Sequence, residues 1–178
     1  MRSPVLRPLV SIAAAGAGIA LMLLPLVAFG ANAGAWSIDT AQGCKLWNPN
    51  PQPGETVRWS GACANGFAQG RGAAQWFRNN LPFEADEGEW RAGRQTGYGT
   101  QVWPSGRYDG ELVDGEPHGR GVLILQSVRY EGEFRNGKPD GAGTLTRGTD
   151  IFRGTWTEGC FREGTRKASF GVPLSACP

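Results

Sequence analysis

Carboxylates recur in this sequence at a fixed spacing. Glu89, Glu111 and Glu133 stand 22 residues apart, and Glu87, Asp109 and Glu131 form a second series at the same interval. Carboxylate pairs can serve glycoside hydrolysis as acid and base, or ligate a divalent cation. Arg71, Arg120 and Arg135 are placed to neutralise some of them, and such exposed pairs contribute about 0–1 kcal/mol each, so both series read as a solvated polar face. A single histidine, His118, lies in GEPHGRG (115–121), read as an exposed turn. A Ser/His/Asp or Cys/His site would have to use that one imidazole, and a multi-His metal cluster is excluded. The same glycine-rich segment lacks the helix start that a phosphate loop needs. Four cysteines, Cys44, Cys63, Cys160 and Cys177, are separated by 19, 97 and 17 residues. Without close C-x-x-C pairs they fit two disulfides better than a zinc site, and their pairing is open at this level. No cofactor is called for.

The elements that carry these residues follow from an internal repeat. The chain has 178 residues, enough for one domain, and 28 of them are glycine. Glycine inside a helix costs about 1 kcal/mol relative to alanine, which argues against a helical bundle. Taking Trp59, Asp86, Tyr108, Tyr130 and Phe152 as position zero of five copies, the intervals are 27, 22, 22 and 22, the first lengthened by five residues in FRNNLPFEA (77–85), read as an irregular insert. Glycines recur two, seven, eleven and thirteen positions later, and 18 of the 28 obey that register. The fifth copy has Glu163 and Thr165 at the last two positions, as a terminal unit would.

Each copy reads as a hairpin: an alternating run such as YEGEF (130–134), a turn NGKPDG (136–141) and a second run GTLT (143–146). Alternation puts Tyr130, Gly132 and Phe134 on one face and Glu131, Glu133 and Arg135 on the other. Trp90, Tyr108, Tyr130, Phe134, Phe152 and Trp156 share the aromatic face, with Trp76 and Trp103 closing the second strands of copies one and two. In-register strand glycines imply close approach by a neighbour, read as an aromatic ring over bare backbone. A thin sheet cannot hide both sides, so the seven residues Trp90, Trp103, Tyr108, Tyr130, Phe134, Phe152 and Trp156 are the candidate binding surface.

Arg2 and Arg7 followed by the apolar stretch from Leu9 to Phe29 read as an export signal, residues 1–33, cleaved after Ala31-Asn32-Ala33 or one pattern later. An uncleaved anchor is the alternative, since the stretch is long enough to span a bilayer. Beyond residue 33 the charges balance at 16 basic and 16 acidic. An evenly mixed chain offers nucleic acid no basic stripe, and charge does not favour membrane lipid.

YEGEFRNGKPDGAGTLT (130–146) resembles the MORN (membrane occupation and recognition nexus) repeat, and the likeness extends over residues 57–161, with copies three and four the nearest. Copy one departs at Cys63, where an aromatic or large apolar residue is preferred, and copy two at Asp86, where tyrosine is. The resemblance implies an all-β chain: an elongated, single-layer antiparallel sheet of stacked hairpins, serving as a binding, scaffolding or dimerisation module and not a catalyst. Such a sheet advances about 10 Å per copy, which puts Cys63 and Cys160 roughly 40 Å apart. The implied pairing is then Cys44 with Cys63 and Cys160 with Cys177, each stapling a cap (residues 34–56 and 162–178) over an end of the sheet. The Pro-rich WNPNPQPGE (47–55) reads as an irregular cover within the first cap. A protein partner or self-association is expected in the periplasm or outside the cell; the alternative is an envelope glycan-binding protein or a glycan-acting enzyme using the carboxylate row.

Overall fold

A computed structural model describes residues 34–178. The export signal and the cleavage pattern at residues 31–33 lie outside the described residues. Within them are strands β1 (Ala35–Ile38), β2 (Lys45–Asn48), β3 (Glu55–Trp59), β4 (Ala62–Ala64), β5 (Phe67–Arg78), β6 (Leu81–Arg91), β7 (Arg94–Trp103), β8 (Gly106–Val113), β9 (Glu116–Leu125), β10 (Val128–Arg135), β11 (Lys138–Arg147), β12 (Asp150–Thr157), β13 (Cys160–Glu163) and β14 (Arg166–Ser169). A short 3-10 turn, Leu174–Ala176, follows. No helix among the described residues is long and apolar enough to cross a membrane.

The strands form one sheet in the order β1-β2-β5 and then consecutively to β14, with β3 and β4 both pairing with β5. All pairings are antiparallel except the single Lys45–Phe67 step between β2 and β5. The all-β architecture of stacked hairpins expected from the sequence is therefore the one found, and so are both disulfides, with Cα–Cα distances of 5.7 Å for Cys44–Cys63 and 5.5 Å for Cys160–Cys177.

The hairpin tips are tighter than the sequence suggests. Asn136 and Gly137 have φ of 49° and 75°, and the pairs Ala92/Gly93, Asp114/Gly115 and Glu158/Gly159 repeat that conformation. Two successive positive φ values make a two-residue turn whose twist matches its strands. NGKPDG and GEPHGRG are thus not turns beyond their first glycine: β11 starts at Lys138, and His118 lies half-buried within β9. The FRNNLPFEA segment is mostly strand, its irregularity confined to the turn and to a register shift between Trp76 and Phe77 that leaves Phe83 as an extra residue. Asn79 and Asn80 turn between β5 and β6, which at 12 and 11 residues exceed β9 (10) and β8 (8) by two and three, absorbing the five extra residues. The Pro-rich stretch closes β2 and opens β3 at its ends and is irregular between.

One row of glycines crosses eight strands in register: Gly72, Gly88, Gly99, Gly110, Gly121, Gly132, Gly143 and Gly154. Rings lie over it. A Cβ built on Gly72 would meet Trp59 Cζ2 at 2.7 Å, on Gly121 Tyr108 Cζ at 2.6 Å and on Gly143 Tyr130 Cζ at 2.5 Å. The position-zero ring of one copy also packs edge-to-face on the ring four positions into the next: Trp59 on Trp90, Tyr108 on Phe134 and Tyr130 on Trp156, each with centroids 5.3 Å apart.

Burial is the main correction to the expected surface. Trp90, Tyr108, Tyr130, Phe134 and Trp156 are at most 3% exposed, and only Trp103 and Phe152 are half-buried. A single-layer sheet hides this face because each hairpin bends. The register shifts after Gly88, Gly110 and Gly132, the extra residues lying on the second strand of each hairpin, and a bulge kinks its strand and increases its twist. The tips then fold over their neighbours, with Gly115 N–H donating to Gln95 O (3.0 Å), Gly137 N–H to Pro117 O (3.0 Å) and Gly159 N–H to Pro139 O (2.8 Å).

Candidate functional site

The ring ladder has one gap. In copy two position zero is Asp86, and four positions into copy three stands Leu112, so neither half of the usual edge-to-face pair is aromatic. The core divides there. One buried cluster contains Trp59, Trp76 and Trp90; the other contains Tyr108, Leu112, Tyr130 and Phe134, with Trp103 against its side. Between them opens a recess of about 320 Å³, lined by Trp76, Trp90 and Trp103, by Glu84, Asp86, Gln95 and Gln101, and on one lip by Trp47 to Asn50, Gln52 and the Glu55–Arg78 ion pair.

Polar side chains take the place of the missing phenol. Tyr108 Oη donates to Glu111 O at 2.7 Å and Tyr130 Oη to Glu133 O at 3.1 Å, and burial raises the pKa of both phenols. In copy two Gln95 Nε2 donates to Glu87 O (3.1 Å), while Gln101 Nε2 donates to Gln95 Oε1 (3.0 Å) and Gly115 O (2.9 Å). Asp86 Oδ2 accepts from Trp76 Nε1 at 2.6 Å, and Asp86 Oδ1 has no hydrogen-bond partner among the described residues. Burial, and after it the Glu84 charge, push Asp86 well above the usual carboxylate range. Burial also raises Glu84, against the hydrogen bond it receives from Asp86. Both carboxyl groups are thus held toward the neutral form, burial being the first cause for each.

On the opposite face the carboxylate row is occupied with the backbone. Glu111 accepts from Arg120 N at 3.0 Å and Glu133 from Ala142 N at 3.1 Å, replacing ladder bonds lost at the bulges. Glu89 is exposed. In the second series Asp109 is held by Arg107 and Thr100, the Arg107 hydrogen bond lowering its pKa, and Glu131 pairs with Arg129.

Residues 87–106, 108–127 and 130–149 match the family model of the MORN repeat. Three of the hairpin units thus match the MORN repeat. They are copies two to four, the bent hairpins on either side of the recess. MORN repeats generally serve as protein- or lipid-binding scaffold modules and are not themselves catalytic. No curated protein matches the chain at a significant level. The two disulfides point to an oxidising, extracytoplasmic environment.

Of the seven aromatic residues expected to form the binding surface, the structure brings Trp90 and Trp103 together in the recess. Tyr108, Tyr130, Phe134 and Trp156 are core, and Phe152 packs on Phe161 at 5.7 Å. Sequence reasoning missed Glu84, Gln95 and Gln101. Its available signal was Asp86, the one polar residue at position zero.

Proposed function

We propose that this chain is an exported, non-catalytic binding module that receives a protein partner at the copy-two recess, on the aromatic face beside Trp90 and Trp103. The observation that carries this reading is the gap in the ring ladder. Copies one, three and four stack their position-zero rings on the next copy, whereas copy two lacks that contact and a recess lined by Trp76, Trp90, Trp103, Glu84 and Asp86 opens there. A buried carboxyl pair costs stability, and its retention in place of the tyrosine found in copies three and four is the mark of a site with a task. The carboxylate row of the opposite face supports a structural role, since Glu111 and Glu133 bond backbone amides.

The test is capture from an envelope extract of the native host by the full chain and by its Trp103→Ser variant. Trp103 is half-buried, so the fold survives its removal, whereas Trp90→Ser would cost about 3–5 kcal/mol as a core truncation. Loss of a specific partner with Trp103→Ser and its retention with Ile124→Ser, an exposed residue of the opposite face, is the expected result. Retention in Trp103→Ser with loss in Ile124→Ser would move the binding surface to the other face. Turnover of an envelope glycan would favour the enzyme reading.

A further inference from the structure

We propose that the recess takes the ammonium head of a lysine side chain carried by the protein partner, with the Glu84 and Asp86 carboxyl groups as its floor and Trp76, Trp90 and Trp103 as its walls. The inference rests on the binding-module reading and adds the chemistry of the contact.

Charge complementarity selects this occupant. Three carboxyl groups line the recess, Glu55, Glu84 and Asp86, against one guanidinium, Arg78, which is committed to Glu55 at 2.7 Å. Glu55 is further held by Asn48 Nδ2 (2.9 Å) and Gln52 N (3.0 Å), so that ion pair is satisfied and neutral. Arg94 approaches the lip over the Trp47 ring, 4.2 Å from its centroid, and pairs with Asp114 at 3.1 Å. What is left uncompensated is the Glu84–Asp86 pair, with Asp86 4% exposed and one of its oxygens without a fixed partner. Indole walls attract cations through the ring quadrupole, and the attraction grows as water is excluded. A primary ammonium supplies the countercharge that the pair lacks, and a four-carbon stem suits apolar walls.

Proton linkage follows. Burial, and after it the Glu84 charge, disfavour ionisation of Asp86. An entering ammonium favours that ionisation, so the proton leaves as the amine binds and affinity rises with pH.

The experiment titrates the full chain with N-acetyl-lysine-methylamide, with its side-chain-acetylated analogue and with a tetramer of N-acetylglucosamine, by calorimetry at pH 5 and pH 8. Expected are saturable binding of the free amine, tighter at pH 8 than at pH 5, and no binding of the acetylated analogue. Proton release on binding should appear as a dependence of the heat on the buffer's ionisation enthalpy at one of the two pH values at least. Glu84→Gln and, as a second variant, Asp86→Asn should abolish binding while thermal melting reports an intact fold. Absence of saturable amine binding, or equal binding of the acetylated analogue, overturns the proposal. Binding of the sugar tetramer without the amine overturns it in favour of a glycan. Failure here with Trp103-dependent partner capture intact would discard the lysine contact alone; loss of that capture as well would discard the binding-module reading.

Discussion

Adding one methyl group to Gly143 should unsettle the whole aromatic face. Gly143 does not have a left-handed backbone, so Gly143→Ala introduces no conformational strain and its effect is steric. The new Cβ would lie 2.5 Å from Tyr130 Cζ, and its three nearest neighbours are all atoms of that ring. An ordinary carbon contact needs about 3.5 Å, so about 1 Å must be found. Tyr130 cannot swing away: it is fully buried, edge-to-face with Phe134 at 5.0 Å and Trp156 at 5.3 Å, stacked on Phe170 at 6.1 Å, and tied to Glu133 O. Overpacking of this kind costs about 1–3 kcal/mol. At about 2–4 °C per kcal/mol for a chain of this size, Tm should fall by about 2–12 °C in a circular-dichroism melt of the oxidised protein. In a Tyr130→Leu background, where the ring is gone, the same substitution should cost much less, with a coupling of about 0.5–3 kcal/mol. A Gly143→Ala protein melting within about 1 °C of the parent, or an equal cost in both backgrounds, would refute the ring-over-glycine account.

Three further outcomes are expected. Tyr108→Phe removes the donor to Glu111 O and should cost about 1 kcal/mol by urea melts, with the ring contacts unchanged. For Asp86 and Glu84 the folded state favours the protonated form, so the stability they contribute is full below about pH 4 and is lost as pH rises through their raised values. Urea melts from pH 4 to pH 8 should therefore show the parent losing ground relative to Asp86→Asn, and parallel profiles would contradict the raised values. Intact mass of the purified exported protein should place its N-terminus at Gly34, while recovery of residues 1–33 would support an anchor.

The hairpins were legible because a 22-residue period of glycines marks each copy, whereas their stacking into one sheet, and the disulfide pairing that its length imposes, were implied by the resemblance to the MORN repeat. Turns were misjudged because Gly119 and Gly141, whose positive φ belongs to the bulge region of the second strand, look in a sequence like turn glycines. Burial of the aromatic face was not legible, since it arises from contacts between copies: Tyr108 reaches Phe134, Tyr130 reaches Trp156, and tips bond across to the preceding hairpin. No single repeat contains that geometry. Asp86 was visible as a departure, but Glu84 lay in the lengthened hairpin, outside the periodic register, so the meeting of the two carboxyl groups could not be read from spacing.

Site-specific photo-crosslinking in the native host tests the central claim most directly. A benzophenone amino acid at position 103, on the recess, is compared with one at position 124, exposed on the opposite face. The account predicts a discrete crosslinked partner from position 103 that is absent from position 124. The same partner from position 124 alone, or equally from both, would contradict it.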